Sequence, residues 1–298
     1  MLAAFAKRGI PAIEIAGRDA VESRERLAAA CSDGLRGLVL VGGDGIVSLA
    51  IQLPEARALP IGVVPAGSGN DFARQFSLSP RAEEAVARML AAEADPLSVD
   101  LGVATMPREA SELRETGAAG AADAVDREHW FACAIGVGFD ASVNRRANAI
   151  RLPIGPLRYH LALLVEIAVM KMRDFSVELR GGETGGDGEA IHHEFSGILT
   201  TVMNTRAIGG GIPLAPRASV HDGLLDVVEV SRGTKLRILS VLGLLAKGEH
   251  EPLPEVTITR VDRVRIAAGD EVAYSDGERV GTGPFDIRIA PGALTLLA

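Results

Sequence analysis

The sequence predicts an α/β unit followed by a β-sandwich. Residues 1–102 read as a doubly wound, mostly parallel sheet, and residues 103–298 as a mostly antiparallel β-rich domain. Three observations predict this. Short apolar runs alternate with helical patterns over the first hundred residues, as parallel strands and their crossover helices do. Two of those runs end in glycine-rich turns that open into helices. From Phe175 onward, period-two alternation takes over, the mark of strands with one buried face.

Each element can be justified in turn. Residues 2–8 form a helical pattern, Pro11–Ile15 a short strand, and Ala20–Cys31 a helix with its charges on one face. Leu35–Val41 is a continuous apolar run ending in glycines, as expected of a strand buried on both faces. Ile46–Gln52 is helical, Ile61–Val64 a second buried strand, and Arg81–Ala92 another helix. Val99–Ala104 and Trp130–Ile135 read as strands. Between them Met106–Glu128, rich in Ala, Gly and charge, reads as a long mobile loop. Residues 157–171 form a helix. Strands then follow at Phe175–Leu179, Gly197–Met203, Leu225–Val230, Val256–Ile258, Val264–Ile266 and Phe285–Ile289, with one helix at Thr234–Lys247.

The bulk properties narrow the function. With 298 residues, 47% of them hydrophobic, the chain can bury a large core and suggests two domains. A formal charge of −8 argues against nucleic acid as a partner, because phosphate backbones need clustered Lys and Arg. It also argues mildly against tight binding to anionic membranes. Cys31 and Cys133 are the only cysteines and read as reduced thiols inside a cell. The longest apolar runs, Tyr159–Met170 and Ile238–Ala246, fall short of the roughly 20 residues that a bilayer requires. The start lacks the pattern of a signal peptide. These features predict a cytoplasmic protein that reaches any lipid from the aqueous side.

Two segments carry the chemistry. In Leu38-Val39-Leu40-Val41-Gly42-Gly43-Asp44-Gly45 a buried strand feeds a glycine turn and then a helix. Bare amides and the positive end of the helix dipole suit a phosphate there, and glycine permits close approach. The motif matches neither the dinucleotide nor the Walker fingerprint, and a tight turn with a capping Asp reads equally from the residues. Val63-Val64-Pro65-Ala66-Gly67-Ser68-Gly69-Asn70-Asp71-Phe72-Ala73-Arg74 repeats the architecture. In a parallel sheet both loops lie at the carboxyl ends of their strands, where ligands bind. Asp44 and Asp71 are then placed to hold Mg²⁺, directly or through water, although Asp71 also reads as a helix cap.

With these residues quoted, the chain resembles the catalytic domain of diacylglycerol kinases and bacterial lipid kinases. The resemblance continues in order through Val99-Asp100-Leu101-Gly102, Gly136-Val137-Gly138-Phe139-Asp140-Ala141, Gly209-Gly210-Gly211 to Pro216, Asp222-Gly223-Leu224-Leu225-Asp226 and Ser275-Asp276-Gly277-Glu278. It implies that Gly42, Gly43, Asp44 and Gly45, with Gly67, Ser68, Gly69 and Asn70, embrace the phosphates of ATP. It implies an aspartate–water–Mg²⁺ network of Asp44, Asp71 and Asp100. It also implies a structural cation at Asp222 and the carbonyls of Ser219 and Leu224. Asp276 resembles the general base that takes the proton of a lipid hydroxyl, with Glu278 its companion; Asp276-Gly277 also reads as a hairpin turn. The implied activity is transfer of the γ-phosphate of ATP to a membrane lipid at the bilayer surface. Diacylglycerol, giving phosphatidic acid, is the default acceptor, and the enzyme works transiently at the inner face of the membrane. A homodimer is compatible with this reading.

Two departures keep alternatives open. The family's first strand, with its Asn-Pro-x-Ser-Gly turn, precedes an opening helix inside which this chain begins, so either the start lies upstream or the form is impaired. Ile46 stands where the family usually has Thr. A catalytically weakened nucleotide- or lipid-binding relative is one alternative. An NAD-kinase-like enzyme, which shares Gly-Gly-Asp-Gly, is another. His192-His193-Glu194 reads as an ordinary strand segment, and Arg145, Arg146, Arg151 and Arg158 as a basic stretch that meets headgroups, phosphate or solvent.

Overall fold

The computed structural model describes residues 1–106, 127–149, 161–162, 165–166, 169, 171–182, 190–231, 233, 235–245 and 247–298. Most of the expected loop over Met106–Glu128 and of the expected helix over 157–171 lies outside them, as do Arg151 and Arg158.

The chain opens with α1 (Leu2–Ala6) and α2 (Ala20–Ser32), the latter capped by the Asp19 carboxylate, which accepts from Glu22 N at 2.9 Å. β1 (Leu38–Gly42) leads into α3 (Asp44–Ile51) and the one-turn α4 (Pro54–Arg57). β2 (Ile61–Pro65) leads into α5 (Asp71–Gln75) and α6 (Ala82–Ala92). β1 and β2 pair in parallel, from Leu38 opposite Ile61 to Gly42 opposite Pro65. The two loops that follow therefore leave the sheet side by side. Pro11–Ile15 is irregular rather than a strand, because it pairs with no described strand.

The second part holds β3 (Leu97–Met106), β4 (Arg127–Phe131), β5 (Ala134–Gly138), α7 (Phe139–Ala149), β6 (Arg173–Arg180), β7 (Ile191–Met203), β8 (Leu225–Ser231) and α8 (Lys235–Leu245). It ends with β9 (Val256–Val261), β10 (Arg263–Ala267), β11 (Val272–Ser275), β12 (Glu278–Thr282) and β13 (Phe285–Leu296). Apart from β2 against β13, these strands pair antiparallel, and they wrap as a sandwich around Phe131, Phe175, Val202, Leu225, Phe285 and Ile287. The strand expected over Trp130–Ile135 is broken. β4 ends at Phe131, Ala132 and Cys133 turn out of the ladder, and β5 begins at Ala134.

The two parts share one continuous hydrogen-bonded network of strands. β3 passes through residue 102 without a break, and β13 runs beside it from Asp286–Thr105 to Leu296–Leu97. At its end β13 also meets β2, Leu296 opposite Ile61. A second core, built on Leu38, Leu40, Val47, Ile51, Ile61 and Phe72, takes in Val99 and Leu101 of β3 and Leu294 and Leu296 of β13.

Gly102 sits where β3 passes under an aromatic ring. A Cβ there would stand 1.9 Å from Cζ of Phe131, which is fully buried. Gly102→Ala is therefore expected to destabilise the fold by about 1–3 kcal/mol, the usual scale of overpacking. The check is the urea midpoint, and an unchanged midpoint would show that the ring has room to move.

Candidate active site

The two glycine loops touch backbone to backbone. A Cβ on Gly67 would lie 2.4 Å from Cα of Gly43, and one on Gly43 would lie 3.0 Å from Cα of Gly67. Ala66 N donates to Gly42 O at 2.8 Å, continuing the β1–β2 ladder into the loops. The second loop is closed by Asn70, in the left-handed region at φ 58°. Its side chain accepts from Gly67 N (2.9 Å) and donates to Gly67 O (2.8 Å). Gly43, the N-cap of α3, carries no side chain to bond the amides of that first turn. Gly45 and Ser68 are exposed beside them. Ile46 folds its Cγ2 over Gly42, where a Cβ would lie 2.8 Å away, so this residue packs rather than offering a hydroxyl.

The aspartates at the helix starts do not cap their own helices. Asp44 opens α3, yet its Oδ1 accepts from Phe72 N of α5 at 3.0 Å. Asp71 opens α5, yet its carboxylate accepts from Gly210 N at 3.1 and 3.0 Å, reaching the Gly209–Gly211 turn. Both carboxylates approach Gly69, where a Cβ would be 2.9 Å from Asp44 Oδ2 and 3.7 Å from Asp71 Oδ2. Burial pushes the Asp71 carboxyl up to about 6, with the Gly210 amide opposing and the Asp44 charge adding.

Asp276 occupies the turn of the β11–β12 hairpin, which sequence reasoning did not assign as strands. Ser275 pairs with Glu278, and the two turn residues have φ 49° and 90°. Both positive values fit the type I′ turn that Asp-Gly favours. The carboxylate folds back onto the break between β4 and β5. Ala132 N donates to Oδ2 at 2.7 Å, and Cys133 N and Ala134 N donate to Oδ1 at 3.0 Å each. Three amides ordinarily depress a carboxyl, but burial outweighs them and, with the Asp44 charge, raises Asp276 to about 6. The buried Cys133 thiol is pushed well above its ordinary range, first by burial and then by Asp276, Asp44 and Asp71. Glu278 is exposed and reaches the first turn of α3, its Oε1 3.9 Å from where a Gly45 Cβ would be.

Asp100 has partners of its own. It is buried, and its two oxygens accept from Gly223 N and Gly292 N, both at 2.8 Å. Its carboxylate is occupied in tying β3 to the 222–223 turn and to β13. Asp222 accepts from Leu224 N at 3.1 Å and pairs with Arg260. The Asp222 carboxylate is thus engaged by a guanidinium. Among the described residues no three His, Cys, Asp or Glu side chains gather as a metal-binding group. His192 and His193 lie on β7 and part company, His192 meeting Ser176 at 3.1 Å and His193 meeting Glu229 at 3.0 Å. Arg146 pairs with the buried Glu166 at 2.6 Å.

Sequence reasoning missed Asn204. Fully buried, it donates to Asp100 O and to Ala132 O, both at 2.8 Å, while its own amide bonds Cys133 O. It links β3 to the segment that holds Asp276. An Asn at a strand end gives no signal of this from sequence. Asp100→Ala is expected to cost about 1–3 kcal/mol, the scale of a buried amide left unpaired. The loss should be equal in excess Mg²⁺ and in EDTA, as followed by thermal melting. A loss confined to Mg²⁺-containing buffer would return Asp100 to a cation site.

Comparison with known proteins agrees with this architecture. Residues 2–103 match the model described as "Diacylglycerol kinase catalytic domain", and residues 133–298 the model described as "YegS C-terminal NAD kinase beta sandwich-like domain". Proteins named "Diacylglycerol kinase" from Mycobacterium tuberculosis strains CDC 1551 / Oshkosh and ATCC 25618 / H37Rv are each 33% identical over 298 residues, covering 99% of this chain and 87% of theirs. In fold it is similar to the crystal structure of a diacylglycerol kinase from Bacillus anthracis str. Sterne, with a TM-score of 0.64 at 14% identity, covering 99% of this chain and 89% of that one. Joined glycine loops on one side, a sandwich carrying Asp276 on the other, and relatedness along nearly the whole length lead to one conclusion: this chain belongs to the diacylglycerol kinase family of lipid kinases.

Proposed function

We propose that this chain transfers the γ-phosphate of ATP to the hydroxyl of a membrane lipid. Diacylglycerol is the first acceptor to test, because the mycobacterial relatives carry that name. The observation that carries the reading is that Asp44 and Asp71 both approach Gly69, beside two glycine loops in backbone contact, while Glu278, two residues from Asp276, reaches Gly45 of the first loop. A phosphoryl-transfer site needs donors for phosphate oxygens, hard oxygens for a divalent cation, and a base at the attacking oxygen.

The α3 turn and the Gly67–Asn70 loop supply backbone donors without side chains in the way. Asp44 and Asp71 fit Mg²⁺, since two carboxylates face one another at Gly69 and the ion is commonly held by one or two carboxylates together with substrate phosphates. Bound there, the ion neutralises charge on the transferring phosphoryl group. Asp100, whose two oxygens accept from Gly223 N and Gly292 N, is assigned to joining β3 to the 222–223 turn and to β13. Asp276 accepts the proton of the lipid hydroxyl as its oxygen attacks phosphorus. The three amides of residues 132–134 fix that carboxylate in place, and its raised proton affinity makes it a stronger base than an exposed aspartate. Glu278 stands at the open side of the same turn, between the base and the α3 loop.

The direct test is transfer of label from [γ-³²P]ATP into a panel of lipids in mixed micelles. Label in diacylglycerol supports the reading, and no label in any lipid with Mg²⁺ present would sink it.

Two variants probe the parts. Gly69→Val drives a side chain into Asp44 and is expected to abolish ATP binding in a folded protein, as read by calorimetric titration. Asp276→Asn preserves the turn but removes the base, so turnover at pH 8 should fall by roughly 10²-fold or more. Wild-type kcat/KM should decline as pH falls through about 6, where Asp276 takes up its proton. The stability sign is opposite. A carboxyl raised in the folded state contributes stability below its unfolded pKa and loses it as pH rises through about 6. Asp276→Asn removes this titration, so wild type should lose more melting temperature between pH 4 and pH 8 than the variant does. An Asn variant with wild-type turnover would make Asp276 a turn residue only.

A further inference from the structure

We infer that Arg74 grips the terminal phosphate of the nucleotide across the cleft between the two glycine-rich walls. The inference rests on the nucleotide reading above and adds a residue to it. The site concentrates negative charge: Asp44 and Asp71 both approach Gly69, and Glu278 stands at Gly45. A nucleotide triphosphate adds more, so cationic donors are required beyond a single divalent ion. Other nearby guanidinium groups are committed elsewhere. Arg57 lies over the Trp130 ring at 3.8 Å and bonds Ile51 O, and Arg206 donates to Ala218 O at 3.3 Å.

Arg74 is placed differently. It lies in α5, and its Nε donates to Gly69 O at 3.0 Å, so its base is fixed to the loop that faces Asp44 and Asp71. Its far end passes the other wall: a Cβ on Gly211 would meet Arg74 Cδ at 3.7 Å, Nε at 3.8 Å and Cζ at 3.9 Å. The residue is exposed, and among the described residues neither Nη atom has a hydrogen-bond acceptor. A guanidinium anchored through Nε, with both Nη groups free at the mouth of an acidic site, is oriented for paired donation to phosphate oxygens. Gly211 has φ 102°, a conformation that favours glycine, and the stem packs against it at ordinary contact distance. The group spans the Gly67–Gly69 loop and the Gly209–Gly211 turn, whose Gly210 amide holds Asp71, one of the two carboxylates proposed to hold the ion. That location assigns it to the terminal phosphate.

Arg74→Gln separates the phosphate role from the structural one. The Nε2 of Gln falls at the position of the Arg Nε and can still donate to Gly69 O, while the charge and both Nη groups are lost. The experiment titrates the full chain with Mg²⁺-ATP and Mg²⁺-ADP by calorimetry, alongside thermal melting. ATP affinity is expected to fall roughly tenfold to a hundredfold, the scale of a hydrogen bond to a charged group, with ADP affinity and melting temperature near wild type. Equal losses for the two nucleotides, or no loss for either, would overturn the assignment. Should Arg74→Gln not fold, Arg74→Lys decides. It keeps the charge without the fork, and a larger loss for ATP than for ADP supports the assignment, whereas equal losses defeat it. A wild-type chain that binds neither nucleotide would instead remove the nucleotide reading itself.

Discussion

The arrangement depends on one repeated interaction, a carboxylate bonded by backbone amides from a distant part of the chain. Asp44 takes the amide of Phe72, and Asp71 that of Gly210. Asp100 takes those of Gly223 and Gly292, and Asp276 those of Ala132, Cys133 and Ala134. Hydrogen bonds to a charged partner contribute about 1.5–3 kcal/mol each, more than neutral ones. Turns with little side-chain packing of their own are thereby held in register. Three of the seven donors are glycines, Gly210, Gly223 and Gly292, and each has a positive φ (87°, 71° and 61°) that glycine adopts without strain.

The same device sets the electrostatics. Amides stabilise the charged form of each aspartate, and burial opposes them. For Asp71 and Asp276 burial wins and the carboxyls rise to about 6. An acidic site results, in which Arg74 offsets part of the charge of Asp71. Such a place is costly for a fold that only needs stability, and it suits a site that receives a metal-bound polyphosphate. Asp100 shows the contrast. It carries the same chemistry and serves to join β3 to the 222–223 turn and to β13.

Legibility followed sequence distance. Both glycine loops could be read because a buried strand, a glycine turn and a helix start are local patterns, and their side-by-side exit follows from parallel pairing. Asp276 invited two readings, turn residue and chemical group, and both features coexist: the side chain leaves a type I′ turn and lands on residues 132–134. What stayed hidden depended on partners far away. Nothing near Trp130 announces that the strand must break, because the cause is Asp276. Asp100 looked like a member of the Asp44–Asp71 group, since its bonds to Gly223 and Gly292 cannot be seen from the residues around it. β11 and β12 escaped notice for another reason. They are short and flank an Asp-Gly turn that also fits an isolated loop.

The last strand carries a consequence for how the molecule is made. β13 lies along β3 and touches β2, and Leu297 N donates to Ile61 O at 2.8 Å. The α/β half therefore lacks part of its sheet and core until the ribosome has finished almost the entire chain. Contacts of such long sequence separation are reached slowly, because a large loop must close before they contribute. The nascent α/β half would present open strand edges during synthesis, the form in which chains engage chaperones or one another. Swapping the family's catalytic half onto a foreign partner should fail for the same reason, unless β13 travels with it.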